Sequence, residues 1–433
     1  MSTRRRFSLL AIVIALTAMN SGLYAEEKDT AQTESKVKLN VVYEKTFDEP
    51  IVDVIFDTAT VNIEEAKKMG WKEEAFTAED KNRAKTLVSY PRVVLTSQGR
   101  ELSWLSDARR NSYYAKELKF YDKNGRVMNK LILKGFGEEK VYLSPNHRYI
   151  LVSRRPTEWN PTYHGGVLYD LDGKKICAIE GPTPIAISDE GYAVAAHLDW
   201  GVPPEPGGDF YVYDSKGKLI TTIENPLKKK TAPLFAKFSK DGEYALLSFC
   251  VETYYPTIFV LITKEGRILW KKEFSEYRFS RTSGEINLSP SGIVATVYKG
   301  KGGSSILSLS WNGNLKWIKS LYSSLSMGCV FSQDAKKVYT RTLSGDVRCF
   351  SENTGNIIWK YEGKYRWTEM YEQSQYLVLK SHPSKVVFLN STTGILKAEI
   401  EYPNQIFLAP HNEIIFVIDP TNNRIEGLKI EEE

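Results

Sequence analysis

The residue types from which a catalytic or metal centre is built are scarce in this 433-residue chain. The best grouping is His164 and His197 with Asp199, two imidazoles and a carboxylate that could bind a metal ion or serve as acid and base. The histidines stand 33 residues apart, without the short spacing of a local ligand set, and the whole chain has five. Histidines in polar loops are the simpler reading. Four cysteines, Cys177, Cys250, Cys329 and Cys349, are neither adjacent nor in a C-x-x-C pair. Each lies in an apolar, strand-like run, which predicts buried free thiols. No nucleophile elbow or metalloprotease motif occurs. The run "KGKGGSS" (Lys299 to Ser305) lacks the strand-to-helix setting that phosphate binding requires.

Recognition chemistry is better represented. "SQGRELSWLSDARRNSYYAKE" brings Trp104, Arg109, Arg110, Tyr113 and Tyr114, and "SRRPTEWNPTYHGG" brings Arg154, Arg155, Trp159, Tyr163 and His164. "HLDWGVPPEPGGDF" holds His197, Asp199 and Trp200, "VETYYPT" holds Tyr254 and Tyr255, and "FSEYRFSRTSG" adds Tyr277, Arg278 and Arg281. Trp, Tyr and Arg concentrate binding energy at interfaces, where a well-buried anchor is worth roughly 2 kcal/mol or more. For any single residue the alternative is packing, with Pro-anchored aromatics capping a core.

What positions these segments is a repeat. Apolar strand, polar turn ending in glycine, second strand: this unit recurs at Gly125, Gly173, Gly217, Gly266, Gly313, Gly355 and Gly394, at intervals of 39 to 49 residues. Between these turns lies a second series, in which "LSPNHRYILVS", "ISDEGYAVAAH", "FSKDGEYALLS", "LSPSGIVATV" and "FSQDAKKVYT" each join two further strands, with "LAPHNEIIFV" a weaker copy. Every period therefore holds four short strands, A to D. Four strands in 40–50 residues is the signature of a β-propeller blade.

Seven glycine turns predict seven blades, and the ends leave material for an eighth. "QIFLAP", "NEIIFVID" and "NRIEGLKI" are three strands without a fourth, while "KLNVVYEKTFDEP" (Lys38 to Pro50) reads as a D strand with Tyr43 in the place of Trp270. An N-terminal strand completing a C-terminal blade would close the ring without open edges. Eight blades are expected, with seven and a stray C-terminal hairpin as the alternative. Blade one is interrupted by an insertion over 62–86, where Asn62 with Glu65 and Thr77 with Asp80 predict the caps of two short helices.

Ahead of the ring, residues 1–25 read as a secretory signal: Arg4 to Arg6, an apolar run of near 13 residues, and small residues before a cut near Ala25. The run is too short to span a membrane, which takes roughly 20 residues. "TRRRF" also resembles the start of a twin-arginine signal. A flexible mature N-terminus over 26–36 and a propeller over 37–430 follow. Export to the periplasm or outside the cell is therefore expected, with no membrane span. Without its signal the chain carries 55 basic and 53 acidic residues, a balance that offers no nucleic-acid footprint. The run "LKKKTAP" reads as a solvated loop.

Glycine followed four residues later by tryptophan occurs at Gly266/Trp270, Gly313/Trp317 and Gly355/Trp359. This resembles the tryptophan-docking repeat of the pyrroloquinoline-quinone-like (quinoprotein-like, WD-repeat-like) β-propeller superfamily, Ala-x-Asp-x-x-Thr-Gly-x-x-x-Trp, whose indole packs between blades. "CFSENTGNIIW" keeps Thr354, Gly355 and Trp359, with Cys349 and Ser351 in place of alanine and aspartate; "FLNSTTGILKA" keeps Thr393 and Gly394 but has Ala398 where tryptophan belongs. The likeness is clearest from blade four to blade seven. It implies an all-β ring with structural roles for Trp270, Trp317 and Trp359. It also implies one of two functions: a quinone-dependent dehydrogenase, or a non-catalytic scaffold such as the propeller lipoprotein that assists outer-membrane protein assembly. The dehydrogenases hold quinone beside calcium with acidic ligands, often near a disulfide of adjacent cysteines, and neither feature is legible here.

Strand order puts the A–B and C–D turns on one face and the B–C and D–A loops on the other. The second set is long in blades one to five and contains every aromatic and arginine segment above. The expectation is a non-catalytic scaffold without cofactor, binding a protein, peptide or glycan of the cell envelope through that face. The alternative is a quinone- or metal-dependent oxidoreductase, or a polysaccharide lyase, working in the central funnel. The A-strand residues expected to line that funnel read as apolar or small.

Overall fold

A computed structural model describes residues 37–432 apart from 97–105, 108–111, 114, 134–138, 155–163, 198–207, 227–230, 252–254, 275–277, 280–285, 299–303, 322–325, 382–383, 405 and 412–413. The signal and the 26–36 segment lie outside the described residues. No described helix is long and apolar enough to cross a membrane.

The described strands form eight antiparallel sheets, each with a four-stranded core in the order A-B-C-D from the channel outward. Blade one comprises Ile51–Val61, Thr86–Thr96, Glu117–Tyr121 and Val127–Ile132, and blade seven Trp367–Gln373, Tyr376–Ser381, Lys385–Asn390 and Leu396–Glu401. The eighth blade is composite. Phe407–His411, Ile414–Asp419 and Arg424–Glu432 supply A to C, and Val37–Thr46 pairs antiparallel with the last of these, Tyr43 opposite Gly427. Eight blades closed by an N-terminal strand is thus the architecture. The A–B turns owe their regularity to one serine: the hydroxyls of Ser144, Ser188 and Ser332 accept from the N–H of Tyr149, Tyr192 and Lys337 at 3.1, 3.0 and 2.8 Å. These local bonds satisfy backbone that the turn leaves unpaired.

Both predicted capping boxes are present. Helix α1 (Ile63–Lys68) is capped by Asn62 with Glu65, and α2 (Ala78–Asn82) by Thr77 with Asp80. The insertion covers the outer edge of the closing strand, where the Glu44 N–H donates to the Gly70 carbonyl and the Lys72 N–H to that of Val42, both at 2.9 Å. Trp71 is buried there, its indole N–H on the Ser89 carbonyl at 2.8 Å and its ring 5.4 Å from that of Tyr43. The strand that closes the ring is therefore paired on both edges, the usual remedy for an exposed one.

Between blades, the C–D turn glycines from Gly173 to Gly394 meet the docking residue of the preceding blade, whereas Gly125 meets Lys45 and not Tyr43, the residue expected in the place of Trp270. A Cβ at Gly355 or Gly394 would stand 2.6 Å from the indole of Trp317 or Trp359. At φ +66° and +74° these positions also disfavour any side chain. The indoles of Trp270, Trp317 and Trp359 donate to the carbonyls of Trp311, Glu352 and Ser391 at 2.5, 2.6 and 3.2 Å. In blade one Asn129 takes the same place, donating to the Gly173 carbonyl at 3.0 Å.

All four cysteines are free; Cys250, Cys329 and Cys349 are buried, whereas Cys177, at blade two's docking position, is part-exposed. Burial pushes the Cys349 thiol up to about 12, and it raises Cys177 as well. Iodoacetamide at about pH 8 is expected to label Cys177 well before Cys349 in the native protein, because reactivity follows thiolate fraction and access. Peptide mapping checks this; equal labelling of the two would contradict the packing described.

Candidate functional site: the B–C and D–A mouth of the channel

Antiparallel pairing places the ends of strands B and C of successive blades at one end of the ring. Thr96 stands opposite Glu117, Ser153 opposite Gly166, Ala196 opposite Phe210 and Val251 opposite Tyr255. The aromatic and arginine segments lie between these ends in sequence. Of their side chains, Trp104, Arg109, Arg110 and Tyr114 fall outside the described residues. So do Arg155, Trp159 and Tyr163 of blade two, Asp199 and Trp200 of blade three, and Tyr254 and Tyr277.

Two segments leave the rim for the channel wall. Ser106–Asp107 and Ser112–Tyr113 pair as a short hairpin, and Ser112 and Tyr113 pair in turn with Tyr142 and Val141 of blade two's strand A. Because A is the innermost strand, this part of blade one's B–C segment runs along the inside of blade two, giving it six strands. Arg278 and Phe279 pair with Tyr298 and Val297 of strand B in blade five. They thereby occupy the innermost strand position there, ahead of Ile286–Ser289. Arg278, expected in a connection between blades, belongs by its backbone to the wall. Tyr255 opens strand C of blade four.

Arg154 ends strand B of blade two, half-buried, its carbonyl accepting from Thr183 Oγ1 at 3.1 Å. The fold does bring His164 and His197 together, edge to face at 6.2 Å, with His197 also against Tyr211 at 5.5 Å. His164 Nδ1 is buried without a hydrogen-bond partner. This is a ring-packing contact between two B–C segments. Among the described residues no three His, Cys, Asp or Glu side chains are grouped to hold a metal ion.

Sequence reasoning missed the charge in the channel, where the A strands were expected to be apolar or small. Glu139 and Lys140, at the start of blade two's strand A, are buried. In blade seven Glu369 forms an ion pair with buried Lys380, and its Oε2 accepts from the Tyr371 hydroxyl at 3.1 Å and the Leu408 N–H at 3.4 Å. Burial raises Tyr371 far above the usual tyrosine range, and the carboxylates of Glu369 and Asp53 add to this, while Arg341 opposes it. The guanidinium of Arg341 donates to the Trp367 carbonyl at 3.1 Å. The signal was present in "WTEMYEQ" and "VDVIFD", where two carboxylates interrupt each inner strand. At the opposite mouth the channel widens to about 730 Å³ among the A–B turns of blades two to seven. There Lys237 Nζ donates to the Ile286 carbonyl at 3.2 Å and to Asn287 Oδ1 at 3.0 Å, and Glu372 accepts from the Tyr339 hydroxyl at 2.5 Å. Those charges tie blade to blade.

No protein-family model matches the chain, and no curated protein sequence matches it. Solved structures do. BamB from Moraxella catarrhalis is similar at TM-score 0.51 and 11% identity, over 90% of this chain and 98% of that one. The computationally designed Ika8 protein reaches 0.55 at 12% identity, over 92% and 100% of the two chains. Sqt1 of Saccharomyces cerevisiae reaches 0.53 at 10% identity, over 79% and 93%. At such identities the likeness is one of fold. This chain has a β-propeller fold, built as a ring of eight four-stranded blades.

Proposed function

We propose that this chain is an exported, non-catalytic scaffold that binds a protein or peptide of the cell envelope at the B–C and D–A mouth of its channel. The observation that carries this reading is convergence. Ser112–Tyr113, paired with Ser106–Asp107, and Arg278–Phe279 line the inner wall of blades two and five, and the other aromatic and arginine segments join strand ends at the same mouth. A closed ring holds such anchors in place before the partner arrives, so little ordering entropy is lost on binding. The Trp, Tyr and Arg content favours a polypeptide over a glycan. Export rests on the basic and apolar character of residues 1–25.

Trp159→Ala and Trp200→Ala are expected to weaken partner binding while leaving the melting temperature within about 2 °C of wild type, as surface changes usually do. Calorimetry and a binding assay on the same preparations check this. A large fall in melting temperature for both variants would make these residues core caps and displace the site.

A further inference from the structure

Each innermost strand has one edge on strand B and one on the channel. Along an antiparallel pair, the backbone groups of successive residues point alternately towards the partner and away from it. In blade four (strand A, Thr231–Phe238) the Ser239 N–H donates to the Tyr244 carbonyl at 2.9 Å, and Phe238 and Ala236 stand opposite Ala245 and Leu247. The N–H and C=O groups of Phe238 and Ala236 therefore turn into the channel. In blade three (strand A, Thr183–Ile187) the Ser188 N–H on the Tyr192 carbonyl at 2.8 Å turns Ile187 the same way. Other blades meet such inward groups with another part of the chain. Val141 of blade two pairs with Tyr113. The Ile286 carbonyl of blade five accepts from Lys237 Nζ at 3.2 Å, and the Cys329 carbonyl of blade six from Asn287 Nδ2. In blade seven the Glu372 carbonyl accepts from Gln333 Nε2 at 3.3 Å, and in blade eight the Leu408 N–H donates to Glu369 at 3.4 Å. Among the described residues, no strand or side chain meets the inward groups of Ile187, Ala236 and Phe238.

We infer that the channel edge of blade four, next to blade three, takes up an extended segment of a partner polypeptide as an added β-strand. The edge itself specifies that occupant. Its donors and acceptors have the spacing of another extended backbone, and an open strand edge is a template for strand addition. The chain supplies a precedent at blade two, where Ser112–Tyr113 lies on the corresponding edge. There is room for a strand, because Ile187, Ala236 and Phe238 all border the channel where it widens to about 730 Å³. Ile185 and Leu288 in the same wall favour apolar or β-branched side chains on the incoming segment. This site uses no residue of the B–C and D–A mouth and stands or falls separately from it.

The test uses the full mature ring, isotope-labelled for NMR, and the blocked peptide acetyl-Thr-Val-Thr-Val-Thr-amide. In the free ring the amides of Ala236 and Phe238 are expected to exchange with solvent about tenfold faster than that of Lys237, which faces strand B. The peptide is expected to move those two signals downfield and to leave that of Val141, already paired, in place. N-methylating the peptide in one alternating phase, at its valines or at its threonines, is expected to weaken binding about tenfold, because hydrogen bonds to the edge are lost. The other phase points away from the edge, so methylating it should change little. Ala236→Pro removes one edge donor and should weaken the unmodified peptide several-fold. Pro410, two residues on from Leu408 in blade eight, shows that proline fits an inward place. If Ala236→Pro does not fold, the exchange and N-methyl measurements on wild type decide. Slowly exchanging Ala236 and Phe238 amides in the free ring, no peptide binding, equal losses from the two methylated peptides, or undiminished binding by folded Ala236→Pro would overturn the assignment.

Discussion

Trp359→Ala is expected to destabilise the ring by about 3–5 kcal/mol, the cost of a large aromatic deletion from a core that cannot collapse around it. Trp359 is 6% exposed and fills the seam between blades six and seven, against Tyr339 at a ring separation of 5.8 Å. The cavity cannot close easily, because its far wall is the backbone of the 390–394 turn, held by the Gly394 N–H on the Asn390 carbonyl at 2.8 Å. Trp359→Phe separates packing from hydrogen bonding. It keeps most of the volume and loses one donor, but Lys337 and Tyr339 still satisfy the Ser391 carbonyl. Its cost should therefore be about 1–1.5 kcal/mol. Gly394→Ala supplies the reciprocal test: its Cβ would collide with the indole, so part of its cost should vanish in the Trp359→Ala background. Additive losses in that double-mutant cycle would show that glycine and indole do not meet.

Glu369→Ala should be nearly as damaging, about 3–5 kcal/mol, for a different reason. Lys380 has only 5% of its side chain exposed, so removing the carboxylate leaves an ammonium ion desolvated beside the channel, with the Tyr371 hydroxyl losing its acceptor. The pair itself need not be stabilising, since two charges pay heavily to leave water. Replacing both partners, Glu369→Leu with Lys380→Met, should therefore recover most of the loss. Thermal unfolding of the two singles and the double checks this. A double variant no better than Glu369→Ala would mean that Glu369 acts through Tyr371 and the Leu408 N–H, not through Lys380.

Legibility in the sequence follows how local each feature is. Blade register and both helix caps rest on residues within one period, so glycine spacing and Asn62/Glu65 or Thr77/Asp80 suffice to predict them; the eighth blade was legible only from three C-terminal strands without a fourth and a D-like strand at Lys38 to Pro50. Pairing between periods leaves no such mark. Ser112–Tyr113 pairs with strand A of blade two, and nothing in "WLSDARRNSYY" names that strand. Asn129 substitutes for an indole in a role that needs only a donor of the right reach, so a search for tryptophan passes over it. The inner-strand charges were missed because those strands were read as apolar or small throughout, although Asp53 and Glu369 stand within them.

The central claim, recognition at the B–C and D–A mouth, is tested most directly by affinity capture from the native envelope. Mature wild type would be compared with a Trp159/Trp200/Tyr254 triple-alanine variant of unchanged melting temperature, with quantitative mass spectrometry of what each retains. A polypeptide enriched by wild type and lost by the variant is the predicted result. Identical capture profiles would contradict a binding role for this face and turn attention to quinone, metal and sugar chemistry within the channel.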